Sequence, residues 1–80
     1  MWCVYLLKSE KANWYYVGST DNLDRRIHEH NKRGVSSTKH FAPLSIVFVK
    51  EFQTEGEARK YERLVKDKRI EKEQIIKSLL

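Results

Sequence analysis

The sequence predicts one small α+β domain, in which a three-stranded, mostly antiparallel sheet is flanked by helices in the order β-β-α-β-α-α. Short apolar runs rich in aromatic and β-branched residues alternate with stretches of helical periodicity. The first two apolar runs are close enough to form a hairpin. A length of 80 residues allows a single domain, which we place over residues 1–80.

The first two strands are predicted at residues 2–7 and 14–17, with a loop of about six residues between them. Gly18 should end the second strand, at a point where the backbone turns or closely approaches another group. Tyr5 and Tyr16 can meet if the register places them on one face of the sheet. The alternative is that both tyrosines are ordinary core aromatics.

The first helix is expected to start at a cap formed by Asp21 or Asn22 and to run to about Asn31, with Gly34 as its stop. The run over residues 46–49 is apolar on both faces, which predicts a third strand in a central or well-covered position.

Two more helices follow. Thr54 and Glu57 form a capping box at the start of the second, which should extend to about Arg69. A short third helix over residues 71–80 should dock its apolar side chains on the domain. These are Ile75, Ile76, Leu79 and Leu80.

The charge is unevenly distributed. The net charge is +5, and residues 22–43 and 59–80 are basic while the segment between them is slightly acidic. Clustered positive charge suits a phosphate-bearing partner, although it is also typical of a solvated surface. The single cysteine excludes an internal disulfide, and the apolar opening is too short for a signal or membrane segment. We therefore expect a cytoplasmic protein without membrane association.

Arg26 and His30 stand four residues apart on one face of the first predicted helix. Both side chains can reach one point near the end of the second strand, where Tyr16 emerges. The helix N-terminus adds free backbone N–H groups that suit a phosphate oxygen. An exposed arginine is ordinarily only solvated, whereas a planar cation beside a titratable imidazole is typical of a functional site.

Glu62 lies on or beside the apolar stripe of the second helix, which is formed by Ala58, Tyr61, Leu64 and Val65. One interpretation is a boundary residue that extends to water or pairs with a lysine. The other is a carboxylate that points into a cleft and coordinates a hard cation.

The connection between the first helix and the third strand, residues 32–43, is long for so small a domain. It is a candidate surface for the backbone of a nucleic acid. Phe41 either stacks on a base or packs into the core. The candidate binding residues are Lys32, Arg33, Thr38, Lys39 and His40.

Taken together, these motifs resemble the GIY-YIG nuclease family, in particular its short stand-alone bacterial members. Val-Tyr is followed eleven residues on by Tyr-Val-Gly-Ser-Thr, then Leu-x-x-Arg-x-x-x-His-Asn, a Thr and Pro segment, and Glu-Ala-x-x-x-Glu. The resemblance covers nearly the whole chain. It implies a small sheet with flanking helices, in agreement with the expected elements.

The resemblance implies metal-dependent cleavage of a nucleic-acid phosphodiester, with DNA as the expected substrate, Mg²⁺ or Mn²⁺ as the cofactor and Glu62 as the metal ligand. The implied catalytic residues are Tyr5, Tyr16, Arg26, His30 and Glu62. Two positions depart from the family pattern: Cys3 begins the first motif in place of Gly, and Gln74 stands where many members have Asn.

Three function classes follow. The first is an endonuclease, for which a protein partner could supply specificity. The second is a nucleic-acid-binding module that keeps the fold without cleavage. The third is a protein-interaction adaptor that uses the basic third helix, and such a protein should show no affinity for nucleic acid at low salt.

Overall fold

The computed structural model describes residues 1–32, 34–35, 38–67 and 69–78, and it confirms the expected α+β fold and element order. The strands are β1 (Trp2–Ser9), β2 (Tyr15–Thr20) and β3 (Leu44–Phe52), and the helices are α1 (Leu23–Asn31), α2 (Glu55–Asp67) and α3 (Arg69–Ser78). The predictions for Arg33, Leu79 and Leu80 lie outside the described residues. Within the described ranges, no helix is long and apolar enough to cross a membrane.

The sheet is antiparallel throughout and has the order β2-β1-β3. The prediction of a central or well-covered β3 is therefore wrong, since β1 is the central strand and β3 is an edge. Ile46 and Val49 are 41% and 39% exposed. An irregularity in the β1–β3 register between Leu6 and Leu7 leaves Val47 without a paired residue, and Val47 packs with Phe48 on one face of the sheet. The apolar run thus reflects this bulge rather than burial on both faces.

Helices cover the two faces of the sheet. Alternate residues of β1 point to opposite faces, so Val4 and Leu6 belong to one cluster and Tyr5 and Leu7 to another. The first cluster lies under α2 and α3 through Ala58, Val65 and Ile75. The second lies under α1 and the connection after it, through Leu23, Ile27 and Phe41. Each face of the central strand therefore has its own small core.

Several element boundaries differ from those expected. Gly18 does not end β2, which continues to Thr20 and keeps pairing with β1. The second helix ends at Asp67 rather than near Arg69, where α3 already begins. In α3, Ile75 and Ile76 pack on the core as predicted. Leu64 is 40% exposed and does not belong to the buried stripe of α2.

Side-chain caps fix the ends of the helices. Asn22 is the N-cap of α1, and its side chain accepts a hydrogen bond from the amide of Arg25. Thr54 and Glu57 form the expected box at the start of α2. At the other end of α1, Asn31 exchanges two hydrogen bonds with the backbone of Leu44, at 2.7 and 3.2 Å. This pair joins α1 directly to the first residue of β3.

Candidate active site

The register of the first hairpin places Tyr5 and Tyr16 on the same face of the sheet. Tyr5 pairs with Gly18 and Leu7 with Tyr16, so the two tyrosines are diagonal neighbours. The Tyr5 ring lies directly over Gly18, where a Cβ would come within 2.5 Å of Cζ and still closer to the hydroxyl oxygen. Gly18 therefore provides the close approach that its sequence position indicated, within the strand rather than at its end.

His30 lies between the two tyrosines. Its Nε2 is 3.2 Å from the Tyr5 hydroxyl, and its Nδ1 is 2.7 Å from Oγ1 of Thr38. The His30 ring also contacts Tyr16, with a centroid separation of 5.2 Å. Tyr5, His30 and Thr38 are 1%, 0% and 0% exposed. The three side chains therefore form a buried polar chain beneath α1.

Arg26 reaches the same hydroxyl from the face of α1 that it shares with His30. Its guanidinium interacts with the Tyr5 hydroxyl and forms a 2.9 Å ion pair with Glu29. The Arg26 side chain is 34% exposed. One side of the guanidinium is thus held by protein, while a part of it faces solvent, where it can meet an anion.

Burial sets the protonation states of Tyr5 and His30. Desolvation raises the pKa of Tyr5 to about 12, although the Arg26 guanidinium partly opposes this rise. Desolvation and the positive charge of Arg26 lower the pKa of His30 below its usual value of 6.5, against the effect of Glu29. At neutral pH, Tyr5 is therefore a protonated hydroxyl and His30 is a neutral imidazole.

Glu62 lies on α2, at the outer side of edge strand β2. The Ser19 hydroxyl donates to one carboxylate oxygen, and Lys66 binds the other at 2.7 Å. The Glu62 side chain is 18% exposed. Its negative charge also contributes to the raised pKa of Tyr5, which places the carboxylate within electrostatic reach of the hydroxyl. Glu62 therefore approaches the Tyr5 site across β2.

The chemistry of Glu62 fits a hard divalent cation. A single carboxylate together with water and substrate phosphate oxygens is a common way for proteins to bind Mg²⁺. The described residues contain no group of three or more histidine, cysteine, aspartate or glutamate side chains that could hold a metal by themselves. An ion at Glu62 would therefore take its remaining ligands from water and from substrate.

The five expected catalytic residues differ in burial. Tyr5 and His30 are buried, while Tyr16, Arg26 and Glu62 are partly exposed. Gln74 is exposed on α3, and none of the hydrogen bonds between described residues joins it to Glu62. The geometry thus separates groups that can touch a ligand from groups that support them.

The connection after α1 is only partly the exposed basic surface that the sequence predicts. Lys32, Lys39 and His40 are exposed. Thr38 is fully buried against His30, so its prediction as a nucleic-acid contact is wrong. Phe41 stacks on Trp14 with a centroid separation of 4.0 Å and belongs to the core under α1. The packing of this segment on the domain buries Thr38 fully and Phe41 partly.

Sequence reasoning missed the partners of the central residues. Thr38 is the partner of His30, and Ser19 and Lys66 are the partners of Glu62. The four-residue spacing of Glu62 and Lys66 on a helix could have indicated their ion pair. No comparable signal exists for Ser19 or Thr38, since their contacts span 43 and 8 residues and depend on tertiary packing.

Residues 1–74 match the family model described as the GIY-YIG catalytic domain. The UPF0213 protein BH0048 of Halalkalibacterium halodurans is 35% identical over 75 residues, which cover 91% of this chain and 79% of that protein. The structure-specific endonuclease subunit slx1 of Schizosaccharomyces pombe is 43% identical over 51 residues, or 56% of this chain and 19% of that protein. The match to that endonuclease therefore covers only a small part of it.

Solved structures show the same fold. The solution NMR structure of the UPF0213 protein BH0048 from Bacillus halodurans superposes with a TM-score of 0.59 at 32% identity, over 96% of this chain and 84% of that one. The chain spans 46% and 60% of the length of two further UPF0213 relatives, from a nuclear polyhedrosis virus and from Nitratidesulfovibrio vulgaris. From the family match over residues 1–74 and the likeness of the fold, the chain belongs to the GIY-YIG family.

Proposed function

We propose that this protein is a metal-dependent endonuclease that hydrolyses phosphodiester bonds of nucleic acid, with DNA as its substrate. The observation that carries the proposal is the contact of buried His30 with the Tyr5 hydroxyl, with Arg26 and Glu62 within electrostatic reach of that hydroxyl. Membership of the GIY-YIG family and the likeness to slx1, a structure-specific endonuclease subunit, support it.

Arg26 would bind the scissile phosphate. Hydrolysis develops negative charge on the phosphoryl oxygens, and a planar guanidinium neutralises that charge with two parallel hydrogen bonds. Glu29 holds the guanidinium from the protein side at 2.9 Å, so its position is set before the substrate arrives. Arg26→Lys should therefore be a poor substitute, since an ammonium group lacks the planar fork.

Glu62 would hold the divalent ion, which we propose to be Mg²⁺ or Mn²⁺. When bound, such an ion supplies charge stabilisation at the phosphate and lowers the pKa of coordinated water. Ser19 donates its hydroxyl to one oxygen of the carboxylate, and Lys66 pairs with the other. These two side chains fix the direction in which the carboxylate points.

Two routes are open to the proton of the attacking water. Tyr16 lies on the more exposed side of the site, where its hydroxyl can orient or deprotonate a water. Tyr5 has the neutral His30 imidazole behind it. Because burial raises the pKa of Tyr5 to about 12, its oxygen can accept a proton only as its own proton passes to His30. Tyr5→Phe and Tyr16→Phe distinguish the two routes by their pH–rate profiles.

Lys32, Lys39 and His40 form the exposed basic part of the connection after α1, and we propose that they contact the substrate backbone. Such contacts carry no sequence information. Specificity would then come from the shape of the substrate or from a protein partner.

The test is an assay with single-stranded, duplex and branched DNA, and with RNA of matched sequence, in Mg²⁺ or Mn²⁺. We expect cleavage that EDTA abolishes and that Arg26→Ala and Glu62→Gln each reduce by at least about 100-fold. Lys60→Ala on the exposed part of α2 is the control and should cleave normally. Cleavage of no substrate, or cleavage indifferent to both active-site variants, would contradict the proposal.

The second candidate is a nucleic-acid-binding module without cleavage. It is favoured by Gln74, which is exposed and forms no hydrogen bond with Glu62 among the described contacts. This candidate predicts binding that weakens steeply with salt, that survives Glu62→Gln and that accompanies no metal-dependent turnover. Fluorescence anisotropy with a labelled oligonucleotide, measured in parallel with the cleavage assay, separates the two.

A further inference from the structure

We propose that Thr38 is a positioning residue that fixes His30 in the tautomer with its proton on Nδ1, so that the Nε2 lone pair faces the Tyr5 hydroxyl. The sequence places Thr38 in a connecting segment, with nothing to join it to the site. The structure brings it to the side of His30 that faces away from Tyr5.

The contacts form one continuous chain. The Tyr5 hydroxyl is 3.2 Å from Nε2 of His30, Nδ1 of His30 is 2.7 Å from Oγ1 of Thr38, and Oγ1 donates to the carbonyl of Val35 at 3.4 Å. Each of the three side chains is at most 1% exposed. Water therefore does not compete for these groups, and each donor must find its acceptor within the protein.

Counting donors decides the tautomer. The Tyr5 hydroxyl carries a proton and is buried, so that proton needs an acceptor within the protein. Among the described contacts of Tyr5, the acceptor for that proton is Nε2 of His30. Nε2 must then be unprotonated, and because the ring is neutral its proton is on Nδ1. That proton points at Oγ1 of Thr38, whose own hydroxyl proton goes to Val35.

The opposite tautomer leaves a donor without a partner. With the proton on Nε2, His30 would donate to the Tyr5 oxygen, and the Tyr5 O–H would lack its described acceptor. A buried donor without a partner costs roughly 1–3 kcal/mol. The preferred arrangement satisfies the Tyr5, His30 and Thr38 donors together, and Thr38 is the member that accepts from Nδ1.

The backbone around Thr38 holds it for this role. The amides of Thr38 and Lys39 both donate to the carbonyl of Val35, at 3.1 and 3.0 Å, and the amide of Phe41 donates to the carbonyl of Thr38 at 2.9 Å. Phe41 in turn stacks on Trp14. The turn is therefore tied to the hairpin, and the position of Oγ1 does not depend on His30 alone.

Thr38→Val and Thr38→Ser form a matched pair. Valine has nearly the shape of threonine but accepts no hydrogen bond, whereas serine keeps the hydroxyl and loses only a methyl group. A purely packing role would tolerate valine better than serine. The proposed role predicts the reverse order.

The measurement is the two-bond ¹⁵N–¹H NMR spectrum of the His30 ring at neutral pH, which shows which nitrogen carries the proton. In the unaltered protein we expect Nδ1–H. In Thr38→Ser we expect the same form, and in Thr38→Val a shift of population toward Nε2–H. The inference is overturned if the unaltered protein carries the proton on Nε2, or if folded Thr38→Val keeps the original tautomer. The first of these results needs no variant, so a variant that fails to fold leaves the inference testable.

The consequence for catalysis rests on the proposed nuclease function. Removing the outer partner of a functional histidine commonly costs roughly 10–100-fold. We therefore expect kcat to fall by that amount in Thr38→Val, with KM unchanged and with activity recovered in Thr38→Ser. If the protein cleaves no substrate, the proposed function fails while the NMR result still decides the tautomer.

Discussion

At the scale of single residues, Gly18 shows how one missing side chain creates the site. It pairs with Tyr5 in the β1–β2 ladder, and the Tyr5 ring folds across its Cα toward β2. The tyrosine hydroxyl thereby reaches His30 and Arg26 while its ring stays buried. Gly18 does not have positive φ, so the reason for glycine here is space and not backbone conformation.

Gly18→Ala should therefore destabilise the protein and displace Tyr5. The new Cβ would lie 2.5 Å from Tyr5 Cζ, so the ring or strand β2 must move, at a cost of about 1–3 kcal/mol. Gly56→Ala is the control, because a Cβ at Gly56 in α2 meets nothing within 4 Å and should stabilise the helix by up to about 1 kcal/mol. Urea denaturation measures both. Equal and small effects of the two substitutions would contradict this role of Gly18.

At the scale of elements, the four-residue spacing on α2 places the Lys66 ammonium group beside Glu62, the candidate metal ligand. Glu62 and Lys66 are one helical turn apart, and the ammonium group lies 2.7 Å from a carboxylate oxygen and 5.9 Å from the centroid of the Tyr16 ring. Lys66 therefore competes with a metal ion for the same oxygen. It also holds positive charge close to where that ion would lie.

Lys66→Met should accordingly tighten the binding of Mn²⁺. Exposed ion pairs of this kind are worth about 0.2–1 kcal/mol, so the dissociation constant should fall by roughly 1.4- to 5-fold. Lys60→Met removes the same charge from an exposed position on the same helix, and it serves as the control. Titration calorimetry or Mn²⁺ electron paramagnetic resonance gives both constants. Weaker binding in Lys66→Met would show that the ammonium supports the site rather than competing in it.

At the scale of the whole molecule, a small core makes individual buried groups important. The Cα radius of gyration is 12.1 Å, and two clusters on opposite faces of a three-stranded sheet provide the apolar burial. Domains of this size bury only about 60% of the surface of the unfolded chain and are marginally stable. His30 occupies one of the fully buried positions, although it is a titratable side chain.

The free energy of unfolding should therefore fall as the pH drops below about 6.5. The pKa of His30 is lower in the folded state, so the unfolded chain takes up a proton first and acid favours unfolding. The stabilisation by the neutral ring is complete above the unfolded pKa of about 6.5 and is lost toward the lower folded pKa.

Denaturation between about pH 5 and 7 measures this effect. His30→Gln should flatten the slope in that range, whereas the exposed His28→Gln should leave it unchanged. A slope that is the same in all three proteins would rule out His30 as its source.

The sequence alone determined the fold class, the order of the elements and the cap at Thr54, and it limited the cap of the first helix to Asp21 or Asn22. Interactions between neighbouring residues control these features. The spacing of apolar residues, the turn residues and the helix caps each act over a few positions of the chain. The sequence also brought forward Tyr5, Tyr16, Arg26, His30 and Glu62 through their spacing and their departures from local pattern. In the structure His30 contacts both tyrosines, and Arg26 and Glu62 are within electrostatic reach of Tyr5.

Only the tertiary structure decided where the sheet has its edges and which residues support the site. The strand order placed β3 at an edge of the sheet, although its sequence is apolar. Long-range packing buried Thr38 rather than exposing it to a ligand. Strand order, register and the partners of Glu62 and His30 depend on contacts between distant segments. Neither of two distant segments predicts such a contact by itself, because the energy of the contact depends on the residues of both segments.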